Sequence, residues 1–364
     1  MKEEVNIIGG GLLGRLIALD LADKNYSVSL YEKGNRNGDL SAAYVAAAML
    51  APMAEAVDAT ELVLSLGRQS IDLWKQIIAS LPEKVFMQLS GSLIVWHPQD
   101  KDITNRFIQH LRHGNNNQEV WENWSKDDIA KHEPQLAHRF SQGFYLPTEG
   151  QLDNRQTLTA LASALEQKNV KCHWNTEYTK DISNNESTWT IDCRGFGAKD
   201  TWNNKKQSQL RGIRGEVARV FAPDVTLNRP VRLLHPRYPL YIAPKENHIF
   251  VIGATQIESE DDSNVSVRSG LELMSALYTV DPAFGEARIL ELATGLRPTL
   301  EHHSPEIRIN KQNKTMSVNG LFRHGFMISP AVARASVRLF EQTLNGQTPA
   351  QDIETTISPV WENN

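Results

Sequence analysis

Two cysteines in 364 residues, Cys172 and Cys193, are too few for a disulfide framework, and their spacing matches no redox motif. Positive charge is not in excess. The 38 basic residues against 43 acids leave a net charge of -5, which argues against an electrostatic nucleic-acid binder. Arg211, Arg214 and Arg219 lie among apolar neighbours rather than along a phosphate-tracking stripe. Long hydrophobic runs are missing too. The longest small and apolar stretch, Ala42 to Pro52, is far short of the roughly 20 residues that a membrane span requires, and Pro52 ends it. Met1-Lys2-Glu3-Glu4 runs straight into the first apolar segment with no signal peptide, so the cytoplasm is the expected location. There is no internal repeat, no low-complexity tract, and no Ser/His/Asp or paired-carboxylate constellation. His302-His303 is the one tempting metal pair, but adjacent histidines diverge on most backbones, so no metal is expected. The tryptophans lack a basic stripe and read as packing. A hydrophobic content of 40% and a charged content of 22% describe an ordinary globular chain, long enough for two packed domains.

What is present is concentrated between Val5 and Glu32. Val5-Asn6-Ile7-Ile8 reads as a short buried strand. Gly9, Gly11 and Gly14 follow at Gly-x-Gly-x-x-Gly spacing, and Leu12, Leu13 and Leu16 to Ala22 start a helical period. In a dinucleotide-binding βαβ unit the first glycine permits the tight turn, the second lets the backbone approach a diphosphate, and the third lets helix and strand pack closely. The helix start then offers free N–H groups and a partial positive charge to the phosphates. Ser27 to Tyr31 is the next strand, and Glu32 stands where a carboxylate meets an adenosine ribose hydroxyl, which favours FAD or NAD over NADP.

Further along, Lys33 to Leu40 is a loop and Ser41 to Leu50 is poor in bulky side chains, so something large can lie against its backbone. Helical spacing covers Thr60 to Leu81, Asp100 to Gly114, Gln156 to Lys168 and Ser266 to Tyr278. Phe86 to Trp96 alternates as a strand, and Val170–Trp174 and Trp189–Asp192 are strand-like. Asp281-Pro282 is expected to start a helix through Leu292 that Gly295-Leu296-Arg297-Pro298 ends, and Asn319 to Pro330 a turn that feeds a helix over Ala331 to Leu344. Glu216–Phe221, Leu240–Ala243 and Ile249–Ile252 are short β-rich runs between Pro and charged turns, which suggests an antiparallel sheet. The expected fold is α/β, α+β overall: a Rossmann-like cofactor domain over residues 1–84, 145–213 and 295–364, with an antiparallel-sheet substrate domain inserted as residues 85–144 and 214–294.

Several of these pieces together resemble the D-amino-acid oxidase family of flavoproteins, and within it the thiamine-pathway type of glycine oxidase. They are Ile7-Ile8-Gly9-Gly10-Gly11-Leu12-Leu13-Gly14, Ala46 to Pro52 with Glu55, Gly150-Gln151-Leu152-Asp153, Tyr241-Ile242-Ala243-Pro244 followed by Gly253-Ala254-Thr255, Gly295-Leu296-Arg297-Pro298, and Phe322-Arg323-His324-Gly325-Phe326 before Ser329-Pro330. The resemblance implies non-covalent FAD. Gly9, Gly11, Leu12, Leu13, Gly14, Glu32 and Lys33 would hold its adenosine diphosphate end with Ser41 and Ala42. Ala46, Ala47, Ala48, Met49 and Gly195 would lie beside the ring system, as would Arg297, Arg323, His324, Gly325, Phe326 and Met327. It also implies that Arg297 grips a substrate carboxylate, that Tyr241 donates its hydroxyl to the same group, and that Arg323 is a second arginine near the flavin. An arginine fork with two parallel donors suits that task. The implied chemistry is hydride transfer from the α-carbon of a neutral amine to flavin N5, giving an imine that water hydrolyses, with oxygen as the final acceptor.

The chain departs from the family pattern around the pocket. Asp192-Cys193-Arg194-Gly195-Phe196-Gly197 stands in place of a small apolar turn, Ala243-Pro244-Lys245 in place of Val-Pro-Arg, and Gln256 at an often apolar position; glycines are missing after Arg297. Two functions are therefore expected in order: oxidation of a small amine or amino acid, or, as the alternative, modification of a partner protein's side chain, for instance during maturation of a protein-derived quinone cofactor of the cysteine tryptophylquinone type.

Overall fold

A computed structural model describes residues 3–116, 118–179, 188–204, 207–235, 240–347 and 357–362. Its first layer is a sheet of seven strands. Their order is Val360–Trp361, Glu306–Asn310, Thr315–Asn319, Trp189–Asp192, Glu4–Ile8, Ser27–Tyr31 and Lys171–His173. The strand Glu4–Ile8 runs parallel to both of its neighbours, and Val5, Ile7 and Leu30 are fully buried, as strands covered on both faces must be. Helices Leu12–Asp23, Asn154–Gln167, Gly325–Leu344 and Glu61–Ser80 pack with this sheet into one core. Thr60 caps the last of these, its hydroxyl accepting from the Val63 N–H, where sequence reading put the helix start.

The second layer is a sheet of eight strands in the order Arg288–Leu300, Leu210–Phe221, Ile249–Gly253, Leu240–Pro244, Val231–Leu234, Ser92–Trp96, Gln142–Leu146 and Glu122–Ser125. Alternation gives it two faces. Ala218, Val220, Leu233, Ile242 and Ile252 point to one side, under helix Val267–Val280. Val217, Tyr241, Ala243, Val251 and Ala293 point to the other, where they meet Val45, Ala47 and Met49 of the small-residue segment. The site is built on this second face. A three-stranded sheet of Met49–Leu50, Gly150–Leu152 and Met87–Gln88 ties that segment down.

Three expectations are corrected. The helix expected from Asp281 to Leu292 is a short 3₁₀ turn, Pro282–Glu286, followed by the strand Arg288–Leu300, which pairs along the whole of Leu210–Phe221. Ala287 to Leu292 is made of good helix formers, but propensity is a weak prior that a long neighbouring strand overrides. Arg297 consequently lies inside a strand and not in a turn. Pro298 is tolerated there because this is the sheet's edge strand, where a missing N–H costs no ladder bond. The last helix begins at Gly325, not Ala331, and carries Pro330 inside it. The N–H that Pro330 lacks would have bonded the Phe326 carbonyl, and the Trp74 indole donates to that oxygen instead at 2.7 Å. Finally, the strand expected from Phe86 to Trp96 is broken around Gly91 into Met87–Gln88 and Ser92–Trp96.

Candidate active site

The glycine loop is shaped for close approach. A Cβ on Gly14 would sit 1.9 Å from the Gly9 carbonyl oxygen, so helix and strand pack there only without one. Helix Leu12–Asp23 has Gly11 as its N-cap, no side-chain cap and no acid in its first turn. Its orphan N–H groups are open to an anion. Glu32 closes the loop from the neighbouring strand, accepting from the Gly10 N–H at 2.6 Å and the Gly34 N–H at 2.7 Å. Arg15, which sequence reading passed over, is fully buried and donates to the carbonyls of Gly10, Leu158 and Arg36 at 2.6, 2.5 and 2.9 Å. Burial lowers its pKa to about 10. Lys33 is exposed, and Ser41 turns its hydroxyl to the Gly38 carbonyl at 2.7 Å, ahead of the single turn Ala42–Val45.

The segment Ala46 to Met49 is pinned from behind. Ala47 and Ala48 are buried, and Ala48 adopts a left-handed φ of 55°, a conformation that a side chain adopts only when its surroundings impose it. Lys245 supplies much of that constraint. Its buried ammonium donates to the Ala47 carbonyl at 2.8 Å, the Gln151 side-chain oxygen at 2.8 Å and the Leu152 carbonyl at 2.6 Å, using all three protons. Burial pushes this lysine down to about 7. The lysine at this position is thus a fixed strut under the segment Ala46 to Met49.

On the second face of the large sheet, Arg297 lies flat over Gly215, where a Cβ would come within 2.3 Å of its guanidinium. It donates to the Thr255 carbonyl at 3.1 Å and the Arg214 carbonyl at 3.4 Å, and among the described residues it has no carboxylate in contact. Burial lowers its pKa, the cost of holding a cation out of water without an acid. Tyr241 pairs with Gly253 on one side and Arg232 on the other. Burial pushes its phenol up, so it stays a donor at neutral pH.

Beyond Tyr241 is a charged knot. The Glu55 carboxylate meets Arg323 Nε at 2.8 Å, Arg232 Nη1 at 3.4 Å and His324 Nδ1 at 3.5 Å. The first is an ion pair rather than an aligned hydrogen bond. Burial would raise the Glu55 carboxyl, but Arg323, His324 and Arg232 together hold it down to about 2. Arg323 also donates to Asp58 at 3.0 Å and to Gln256 at 3.5 Å. Burial drives the His324 imidazole down to about 4, so it is neutral. Helix Gly325–Leu344 starts here without a side-chain cap, and a Cβ on Gly325 would meet nothing within 4 Å.

Most of the expected residues therefore fall in three groups, at the glycine loop, the small-residue segment and this end of the large sheet. Leu12, Leu13, Phe326 and Met327 turn their side chains into the core, with Phe326 stacked on Trp74, so only their backbone N–H groups can serve a ligand. Gly195 lies close to Pro298 of the Arg297 strand, while Arg194 turns to Asp192 at 2.5 Å and to Thr201. Gly215, Arg232 and the role of Glu55 were missed, because each is supplied by cross-strand register or by a separate loop. His302 bonds Glu306 at 3.2 Å, and no cluster of three or more metal-ligating side chains occurs among the described residues. Both cysteines are free, and burial raises their pKa values, Cys172 to about 11, which leaves them unreactive. Among the described residues, no helix is long and apolar enough to cross a membrane.

Residues 4–339 match the DAO family, described as FAD dependent oxidoreductase. The chain belongs to this family. It is 37% identical over 325 residues to a Rhizobium etli protein named as a thiamine biosynthesis oxidoreductase, ThiO, covering 89% of this chain and 92% of that one. It is 26% identical to the glycine oxidase of Geobacillus kaustophilus, covering 94% and 93%. Among solved structures, the glycine oxidase of Bacillus cereus superposes with a TM-score of 0.81 at 21% identity, covering 97% and 99%, and shares the fold. The DAO-family cofactor is FAD, and the residues present fit it. The uncapped start of helix Leu12–Asp23 could take its diphosphate and Glu32 its ribose, and the buried small residues Ala47 and Ala48 and the uncapped start of helix Gly325–Leu344 could lie against its ring system.

Proposed function

We propose that this FAD-dependent oxidoreductase oxidises the C–N bond of a small, glycine-like amino acid, with oxygen as acceptor. One observation carries the reading: a buried guanidinium, Arg297, seated over Gly215 and beside Tyr241, with no acid in contact among the described residues. Such a group is preorganised for an incoming carboxylate, and the neutral Tyr241 hydroxyl adds a donor to the same anion. FAD, when bound, supplies the acceptor for the hydride that leaves the α-carbon. The chain's own part is positional. Arg297 and Tyr241 fix the carboxylate, which leaves the α-carbon a single approach to the segment Ala46 to Met49. No side chain has to remove the α-proton, consistent with a site whose acids are all engaged: Glu55 by three bases and Asp58 by Arg323. The uncapped start of helix Gly325–Leu344 presents positive potential where negative charge would develop on reduction.

The names of the similar proteins, glycine oxidase and a thiamine biosynthesis oxidoreductase, support a small amino acid as substrate. The alternative of a protein-modifying flavoenzyme gains no support from them. We propose further that residues 1–84, 145–213 and 295–364 form a cofactor domain and residues 85–144 and 214–294 a substrate domain. Anaerobic mixing of the purified holoenzyme with glycine, sarcosine and D-alanine tests the function. Rapid bleaching of the visible flavin band by at least one of them is expected. No bleaching by any small amino acid, with flavin in place, would refute it.

A further inference from the structure

Among the described residues, three guanidiniums act on Tyr241: Arg232, Arg297 and Arg323. The structure treats them unequally. Glu55 lies between Arg323 and Arg232, at 2.8 and 3.4 Å, and Asp58 takes the far side of Arg323 at 3.0 Å. Arg297 has only backbone carbonyls. Tyr241 and His324 are held neutral by burial and add no charge. Glu149, the other acid within reach of Arg232, is occupied by the Ala54 N–H at 2.7 Å and by the Ser92 hydroxyl. Among the described residues, two cations are therefore matched by Glu55 and Asp58, and one is left over.

We infer that Glu55 sets substrate charge at this site: by occupying Arg232 and Arg323 it leaves a single free guanidinium, so that the recess takes a monocarboxylate and rejects a substrate with a second anionic group. A second carboxylate would have to displace Glu55 or lie against it, and like charges at contact distance in a half-buried site are strongly unfavourable. Glu55 is thus a specificity-determining residue that acts through the two arginines it neutralises. This rests on the carboxylate grip proposed above for Arg297.

The test uses holoenzyme and two ethers that carry no amine and so cannot be turned over as amino acids: methoxyacetate, with one carboxylate, and oxydiacetate, with two. Their Kd values are read from perturbation of the flavin spectrum. Wild type should bind methoxyacetate more tightly. In Glu55→Gln, which keeps the shape and removes the charge, the ratio of the two Kd values should move toward oxydiacetate by about tenfold or more. Sarcosine and iminodiacetate, the corresponding amines, should shift in the same sense in their rates of flavin reduction. A change that merely loosened the site would weaken both anions alike, so an unmoved ratio overturns the inference. So does a wild type that prefers oxydiacetate. A wild-type holoenzyme that binds neither anion sinks the Arg297 reading itself, a distinguishable result. If Glu55→Gln yields no holoenzyme, Asp58→Asn, at an exposed position, should shift the ratio in the same direction by about threefold, and no shift there counts against the inference.

Discussion

At the scale of single residues, Arg297 depends on a glycine three strands' worth of sequence away. Gly215 and Arg297 lie on adjacent strands, and the guanidinium occupies the space that a side chain at position 215 would fill. Gly215→Ala should therefore reproduce Arg297→Lys: both spoil a planar fork without touching the cofactor loop. Each is expected to lower kcat/KM by about 2–4 kcal/mol, roughly 30- to 1,000-fold, while flavin content stays that of wild type. Wild-type kcat/KM in Gly215→Ala would show that the seat is not needed. A second residue-scale consequence follows from Glu149. Its buried carboxyl is pushed up to about 7 by desolvation, against the usual 4.5. Because the folded pKa is raised, the folded state holds the proton more tightly; this contribution is complete below about 4.5 and is lost as pH rises through about 7. Glu149→Gln keeps an acceptor for the Ala54 N–H and a donor for Ser92, yet has no charge to desolvate. Its stability relative to wild type should improve by about 2–3 kcal/mol between pH 5 and pH 8 in denaturant titrations. A difference that stays constant with pH would contradict this.

At the scale of elements, the sequence announced what is local and concealed what is paired. The strand Val5–Ile8, the glycine loop and the helix after it form one contiguous run with apolar period, turn residues and a capless helix start, and all were legible. The strand Arg288–Leu300 was not, since its first half reads as helix and its last half as a Gly/Pro turn. Only its full-length register with Leu210–Phe221 makes it a strand. Tyr241 and Arg297 could be named from short motifs, whereas Arg232 enters the site because it is the cross-strand neighbour of Tyr241. Nothing in the local sequence at 232 states that register. The last helix teaches the same lesson through Pro330, which reads as a break but is accommodated by a distant side chain, Trp74, whose indole donates to the Phe326 carbonyl 252 residues away along the chain. Trp74→Phe keeps the ring stacked on Phe326 and removes the donor, leaving a buried carbonyl unsatisfied. The expected loss is about 1–3 kcal/mol in denaturant titrations. An unchanged midpoint would mean that another group satisfies the Phe326 carbonyl.

At the scale of the whole molecule, the two large sheets meet across the segment Ala46 to Met49, whose apolar partners come from the second face of the eight-stranded sheet and whose Ala47 carbonyl is held by Lys245 at the end of a strand of that sheet. FAD, contacting the glycine loop at one end and this segment at the other, would couple the seven-stranded layer to the eight-stranded one. A ligand that binds only the folded state stabilises it by about 2.7 kcal/mol at a hundredfold excess over Kd, and that gain is distributed where the ligand makes contact. Removing flavin should thus lower the Tm and, in hydrogen exchange, release protection together at Gly9–Gly14, at Ala46–Met49 and at the start of helix Gly325–Leu344. The helix Val267–Val280, behind the opposite face of the large sheet, should keep its protection. Lys245→Met sharpens the expectation: with the strut gone, Ala46–Met49 should exchange faster in the apoprotein than in wild-type apoprotein, and added FAD should restore much of the difference. Uniform loss of protection across both sheets on flavin removal would instead mean that the cofactor supports global folding and that the segment is no special junction.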